Sequence, residues 1–145
     1  MSGLFERLAS LFTGPEAATT APEHDPAALA MAALMVRLAR ADGQFGPAER
    51  ASILAALDAR FGEGAALLSA AEAAEAKAID HHQFTTLVKT AYAPEERGAL
   101  LEELWRVVLA DGARDDEENA LMRQFGALLH VSDQDVARAR QRAAR

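Results

Sequence analysis

The chain of 145 residues contains no cysteine. That excludes disulfides, thiolate zinc sites and cysteine nucleophiles. β-Branched apolar residues are scarce, with 6 valines and 2 isoleucines against 35 alanines and 18 leucines. Alanine and leucine favour helices and the scarce types favour strands, so an all-β fold is excluded at the outset. No apolar run approaches the roughly 20 residues that span a bilayer. Near the N-terminus the apolar positions are broken by Glu6 and Arg7, with no small-residue cleavage site behind them, so no secretory signal is expected. The expected compartment is the cytoplasm. There is no G-x-S-x-G, no glycine-rich phosphate loop and no H-E-x-x-H. Basic residues are also in deficit, 15 against 22 acidic, for a net charge of −7. Such a balance disfavours nucleic acid and anionic lipid, and suits cations or basic partners.

Helical periodicity carries most of the remaining information. Leu4, Phe5, Leu8, Leu11 and Phe12 line one face of a short amphipathic helix over residues 1–12. So short a helix needs a surface. A groove on the domain, a second copy or a partner ranks ahead of lipid, because Arg7 is its only cation. Residues 13–26, with Gly14, Pro15, Pro22 and Pro26, read as a linker.

From 27 to 145 the pattern predicts one all-α domain of about seven helices. Asp25 with Pro26 opens the first, and Pro47 the second, which runs to about Phe61. Ser69 with Glu72 reads as a capping box that opens a third near residue 70. Others follow over Gln83–Tyr92, from Pro94 to Leu109, after Asp115 as N-cap, and after Ser132. His130 is placed at a helix end, Trp105 in the core, and the His81-His82 pair at the surface or in a cap. Arg138, Arg140, Arg142 and Arg145 read as a solvated face.

One feature rises above this description. Shifted by 69 residues, Arg37 meets Arg106, Ala41-Asp42-Gly43 meets Ala110-Asp111-Gly112, and Glu49 meets Glu118. The shared word A-D-G-x5-E, with a helix on either side, predicts an internal duplication of about residues 27–62 and 95–130. The glycines suit helix ends, and the glutamates fall at the third position of a helix, where a carboxylate closes a capping box. The aspartates fit worse, because an acid at a helix C-terminus costs about 0.3–1 kcal/mol against the dipole. A bound cation would offset that cost. Residues 111–118, with Asp111, Asp115, Asp116, Glu117 and Glu118 against Arg114, carry −4. The word D-G-x5-E also matches the second half of an EF-hand loop, but Leu38, Arg40, Val107 and Leu109 stand where its first carboxylates belong. A metal would therefore need both loops to meet, with the Asp42 and Asp111 carboxylates within about 10 Å, forming an all-oxygen site for Ca²⁺, Mg²⁺ or Mn²⁺. The candidate ligands are Asp42, Glu49, Asp111, Asp115 and Glu118.

The repeated A-D-G-x5-E, the run Leu104-Trp105-Arg106-Val107-Val108-Leu109 and the ending Leu128-Leu129-His130-Val131-Ser132 resemble the tellurite-resistance TerB-like family over about residues 27–145. The resemblance implies a compact all-α fold of two related halves. It also implies that Asp42, Glu49, Asp111 and Glu118 match recurrent acidic positions proposed to hold a metal. It further implies a non-catalytic binding module in the response to tellurite and other chemical stress, beside membrane-associated and calcium-binding partner proteins. Gly46-Pro47 departs from the family pattern and leaves the first loop less acidic than the second. Two alternatives stand beside the cation module. One is a metal-free domain whose acidic loops dock a basic partner. The other is a carboxylate-based, metal-dependent hydrolase.

Overall fold

A computed structural model of the chain describes residues 24–41, 45–78, 80–110 and 116–145. The predicted helix over 1–12 and most of the predicted linker lie outside them. The described residues form seven helices and no strand: α1 (Pro26–Arg40), α2 (Pro47–Phe61), α3 (Gly64–Lys77), α4 (His82–Ala91), α5 (Pro94–Leu109), α6 (Asp116–Leu128) and α7 (Asp133–Ala143).

Helix α1 is apolar on every side, from Ala27 through Val36, and is polar only at Arg37 and Arg40. A helix of that kind has to be enclosed. Accordingly α2, α3, α4, α5 and α6 all pack on it, and its short alanine side chains let several neighbours approach. One hydrophobic core results, with Met31, Leu34, Leu57, Phe84, Leu101 and Phe125 fully enclosed.

The packing is organised in two sets of three helices. The most extensive pairings are α1 with α3 and α5 with α7. Helix α2 lies against α1 and α3, as α6 lies against α5 and α7, and α2 meets α5 as α6 meets α1. Helix α4 packs on α1 and α6 and so joins the sets. Adding 69 to the bounds of α1 and α2 gives 95–109 and 116–130, close to the observed bounds of α5 and α6.

Several predicted boundaries hold for the predicted reason. The Ser132 hydroxyl accepts from the Asp135 N–H at 3.1 Å and starts α7. His130 ends α6 in the left-handed region, φ 58°, with Val131 N–H donating to Gly126 O at 2.8 Å and His130 N–H to Ala127 O at 3.1 Å. Those two bonds form a Schellman motif, here closed by histidine where glycine is usual.

Helix α3 starts at Gly64, six residues before the position predicted from Ser69 and Glu72. Gly62 (φ 72°) and Glu63 (φ 51°) turn the chain through left-handed conformations, and the Asp58 carboxylate of α2 accepts from the Gly64 N–H at 2.7 Å. The cap comes from the preceding helix. Glu72 instead faces α2, where Arg50 donates to both its oxygens at 3.2 and 3.0 Å.

Arg97 is buried without a carboxylate. Its guanidinium donates to the carbonyls of Lys89 at 3.0 Å, Tyr92 at 3.1 Å and Leu129 at 3.1 Å. It therefore ties the C-terminal ends of α4 and α6 to the start of α5, where a positive charge is favoured by both dipoles.

Candidate cation site

The two helices that lead into the acidic loops end in the same way. Ala41 closes α1 at φ −59°, ψ −34°, donating to Leu38 O at 3.2 Å. Ala110 closes α5 at φ −63°, ψ −33°, donating to Val107 O at 3.3 Å. Asp42, Asp111 and Asp115 follow in segments outside the described residues, so the separation of the Asp42 and Asp111 carboxylates is outside them too.

The helices that leave the loops also correspond. Glu49 is the third residue of α2 and Glu118 the third of α6. Glu49 is half-buried and folds back over its N-cap: its oxygens lie 3.7 and 3.9 Å from where a Cβ on Gly46 would stand. Among the described residues it makes no hydrogen bond or ion pair, so the capping box predicted for it is not formed. A capping bond of that type occurs instead on α5, where Glu96 accepts from the Ala93 N–H at 2.8 Å. Glu118 is taken out of water, at 5% exposure.

The frame around the first loop is ionic. Glu75 of α3 is buried and receives Arg37 Nε at 3.1 Å together with Arg40 Nη1. Arg37 also donates to Ala78 O at 3.4 Å. The Arg40 guanidinium lies 5.4 Å from the Phe45 ring centroid, so it contacts the chain on the far side of the loop it precedes. Arg106, the counterpart of Arg37, uses other partners, Glu102 and Glu103 of its own helix. Arg142 of α7 donates to Glu102 at 2.7 Å, and this hydrogen bond, with Arg106 beside it, holds the Glu102 carboxyl below the usual carboxylate range.

Sequence reasoning missed Glu75, whose partners are 38 and 35 residues away, and Arg97, which reaches Leu129 on another helix as well as Lys89 and Tyr92. It also placed the C-terminal arginines on a solvated face, which holds for Arg138 but not for Arg142 on Glu102 or for Arg140, which lies over Trp105. His81 neither caps through its side chain nor stands fully in water. It meets the Phe125 ring edge-on at 4.9 Å, and burial, with Arg37 nearby, lowers its pKa.

Among the described residues no three His, Asp or Glu side chains stand close enough to hold a metal ion. Glu49 and Glu118 offer two carboxylates, and the other oxygen donors would have to come from the adjoining aspartates. A donor set of carboxylates alone suits a hard divalent cation. Among the described residues no helix is long and apolar enough to cross a membrane.

The sequence model of the family described as tellurite resistance protein TerB matches residues 28–141. No curated protein and no solved structure matches the chain. The matched span covers all seven helices except the extreme ends of the first and last, and with it the chain belongs to the TerB family of tellurite-resistance proteins.

Proposed function

We propose that the protein is a non-catalytic binding module of a tellurite or chemical-stress response, holding a hard divalent cation at its paired acidic loops and docking protein partners close to the membrane. The observation that carries this reading is the correspondence of the two loops' flanks. Glu49 and Glu118 open equivalent helices at the same register, and the turns at Ala41 and Ala110 hand the chain into the A-D-G words with equal geometry. Glu49 is half-buried and makes no hydrogen bond among the described residues, so a cation would offset its desolvation. The concentration of negative charge over 111–118 supports a second reading, in which the loops dock a basic partner without metal.

Elemental analysis after native purification, combined with melting curves in Ca²⁺, Mg²⁺ and Mn²⁺, separates the two. The expected result is a stoichiometric divalent cation and a stabilisation that grows as RT ln(1 + [L]/Kd), about 2.7 kcal/mol at a hundredfold excess over Kd. Asp111→Asn combined with Glu118→Gln should abolish the response and leave the helical circular dichroism intact. Metal-free protein whose melting is indifferent to all three ions at millimolar concentration refutes the cation site.

A further inference from the structure

The described residues of α5, α6 and α7 leave a groove of about 560 Å³ between them. Helix α5 contributes Trp105. Helix α6 contributes Asn119 and Arg123, four residues apart and so on one face, and α7 contributes Asp133, Val136 and Arg140 at i, i+3 and i+7. The indole is held in place, since its Nε1–H donates to Val136 O at 3.1 Å. Trp105 is buried, at 4% exposure, and lies beneath the groove with the Arg140 side chain over its ring.

The arginines of this groove differ from most others in the chain. Arg37, Arg40, Arg50, Arg106, Arg138 and Arg142 each hold a carboxylate. Among the described residues, Arg123 and Arg140 hold none, although acidic residues outnumber basic ones in this protein. Arg123 is exposed, and among the described residues no ion pair joins it to Asp133, which α7 contributes to the same groove. The Arg140 guanidinium lies 5.4 Å from the Trp105 ring centroid, and its Nε is buried with no hydrogen-bond partner.

We propose that the groove between α5, α6 and α7 binds a carboxylate carried on an apolar body, with Arg123 and Arg140 taking the carboxylate and the exposed Ala137 and the arginine stems lying against the apolar part. A guanidinium fork matches a planar carboxylate, and two guanidiniums beside the Asn119 amide supply donors to both oxygens. A small inorganic oxyanion would leave most of the groove unfilled. The volume falls in the range of sites that enclose a small ligand or a chain terminus. A free organic acid and the C-terminus of a peptide with an apolar last residue share this chemistry. The proposal is independent of the cation reading, because none of its residues belongs to the acidic loops.

Trp105 is the only tryptophan, so its emission reports directly on the groove. The full-length chain is titrated with phenylacetate, acetate, inorganic phosphate, a tetrapeptide ending in leucine, and the same peptide amidated at its C-terminus. The expected result is a saturable emission change with phenylacetate or the free-carboxylate peptide, and at least tenfold weaker binding of acetate, phosphate and the amide. Tighter binding of the peptide identifies a chain terminus as the source, and tighter binding of phenylacetate a free organic acid. Arg123→Gln should weaken binding at least tenfold without changing the melting temperature, since the side chain is exposed and unpaired. The proposal is overturned by the absence of any saturable change, by equal binding of the amide, by phosphate binding as tightly as the organic carboxylates, or by an Arg123→Gln chain that binds as well as the parent.

Discussion

Replacing Arg97 by methionine keeps an unbranched apolar stem in place and removes the guanidinium. Three charge-assisted hydrogen bonds are lost, to carbonyls of Lys89, Tyr92 and Leu129 at 3.0–3.1 Å. Hydrogen bonds to charged groups contribute about 1.5–3 kcal/mol each, so simple addition gives about 4.5–9 kcal/mol. That sum is too large, because these carbonyls lie at helix ends, where water reaches part of the vacated space. A loss of about 3–4 kcal/mol is the better expectation, at the upper end of what single substitutions produce. For a domain of this size each kcal/mol moves the melting temperature by roughly 2–8 °C, so Arg97→Met should melt about 10–15 °C lower. Arg97→Lys should recover only part of the loss, since a single ammonium does not reach three divergent carbonyls as a planar fork does. Urea unfolding followed by circular dichroism, with both variants beside the parent chain, provides the measurement. A methionine variant within 1 kcal/mol of the parent would refute the reasoning, as would a lysine variant of full stability. The cation response should survive in either variant, because Arg97 holds the C-terminal end of α6 and Glu118 stands in its first turn.

Two further outcomes follow from packing and charge. His81 lies against Phe125 with Arg37 and His82 as neighbouring cations and Asp80 as the opposing charge; its folded pKa lies below the usual value, so the folded state binds fewer protons than the unfolded one. Its contribution is complete above about pH 6.5 and declines as pH falls through that value toward the folded pKa. His81→Gln should therefore flatten the acid limb of the stability–pH curve below about 6.5, and an unchanged slope would count against the assignment. At the α6–α7 contact, a Cβ on Gly126 would stand 2.5 Å from Val136 Cγ2. Gly126→Ala should cost about 1–3 kcal/mol in urea unfolding, and Val136→Ala in the same chain should return part of it.

The sites differ in how far they can be read from the chain. Glu49 and Glu118 were legible because a duplicated word and a helix start are both local, and each residue stands third in its helix as the spacing predicts. The role of Glu49 was not legible. A capping box and a free carboxylate share one sequence pattern, and only the side-chain conformation separates them. Asp42, Asp111 and Asp115 belong to segments outside the described residues, so their part in a site rests on the tests above. The carboxylate groove had no local signal, since Trp105 and Arg140 are 35 positions apart and meet only because α7 packs on α5.

The sequence by itself determined what depends on neighbours within about one helical turn. That includes the all-helical class, the starts at Pro47, Pro94 and Ser132 and the end at His130. These follow from propensity, capping geometry and apolar periodicity, which act over three or four residues. Tertiary structure alone decided where α3 begins, because its cap is the side chain of Asp58 on another helix. It alone decided that Arg37 and Arg40 share the buried carboxylate of Glu75, 38 and 35 residues away. It also sent Arg97 to two helix ends and left Arg123 and Arg140 without a carboxylate among the described residues. Long charged side chains in an alanine-rich helical protein can reach several partners, and the packing of whole helices selects among them.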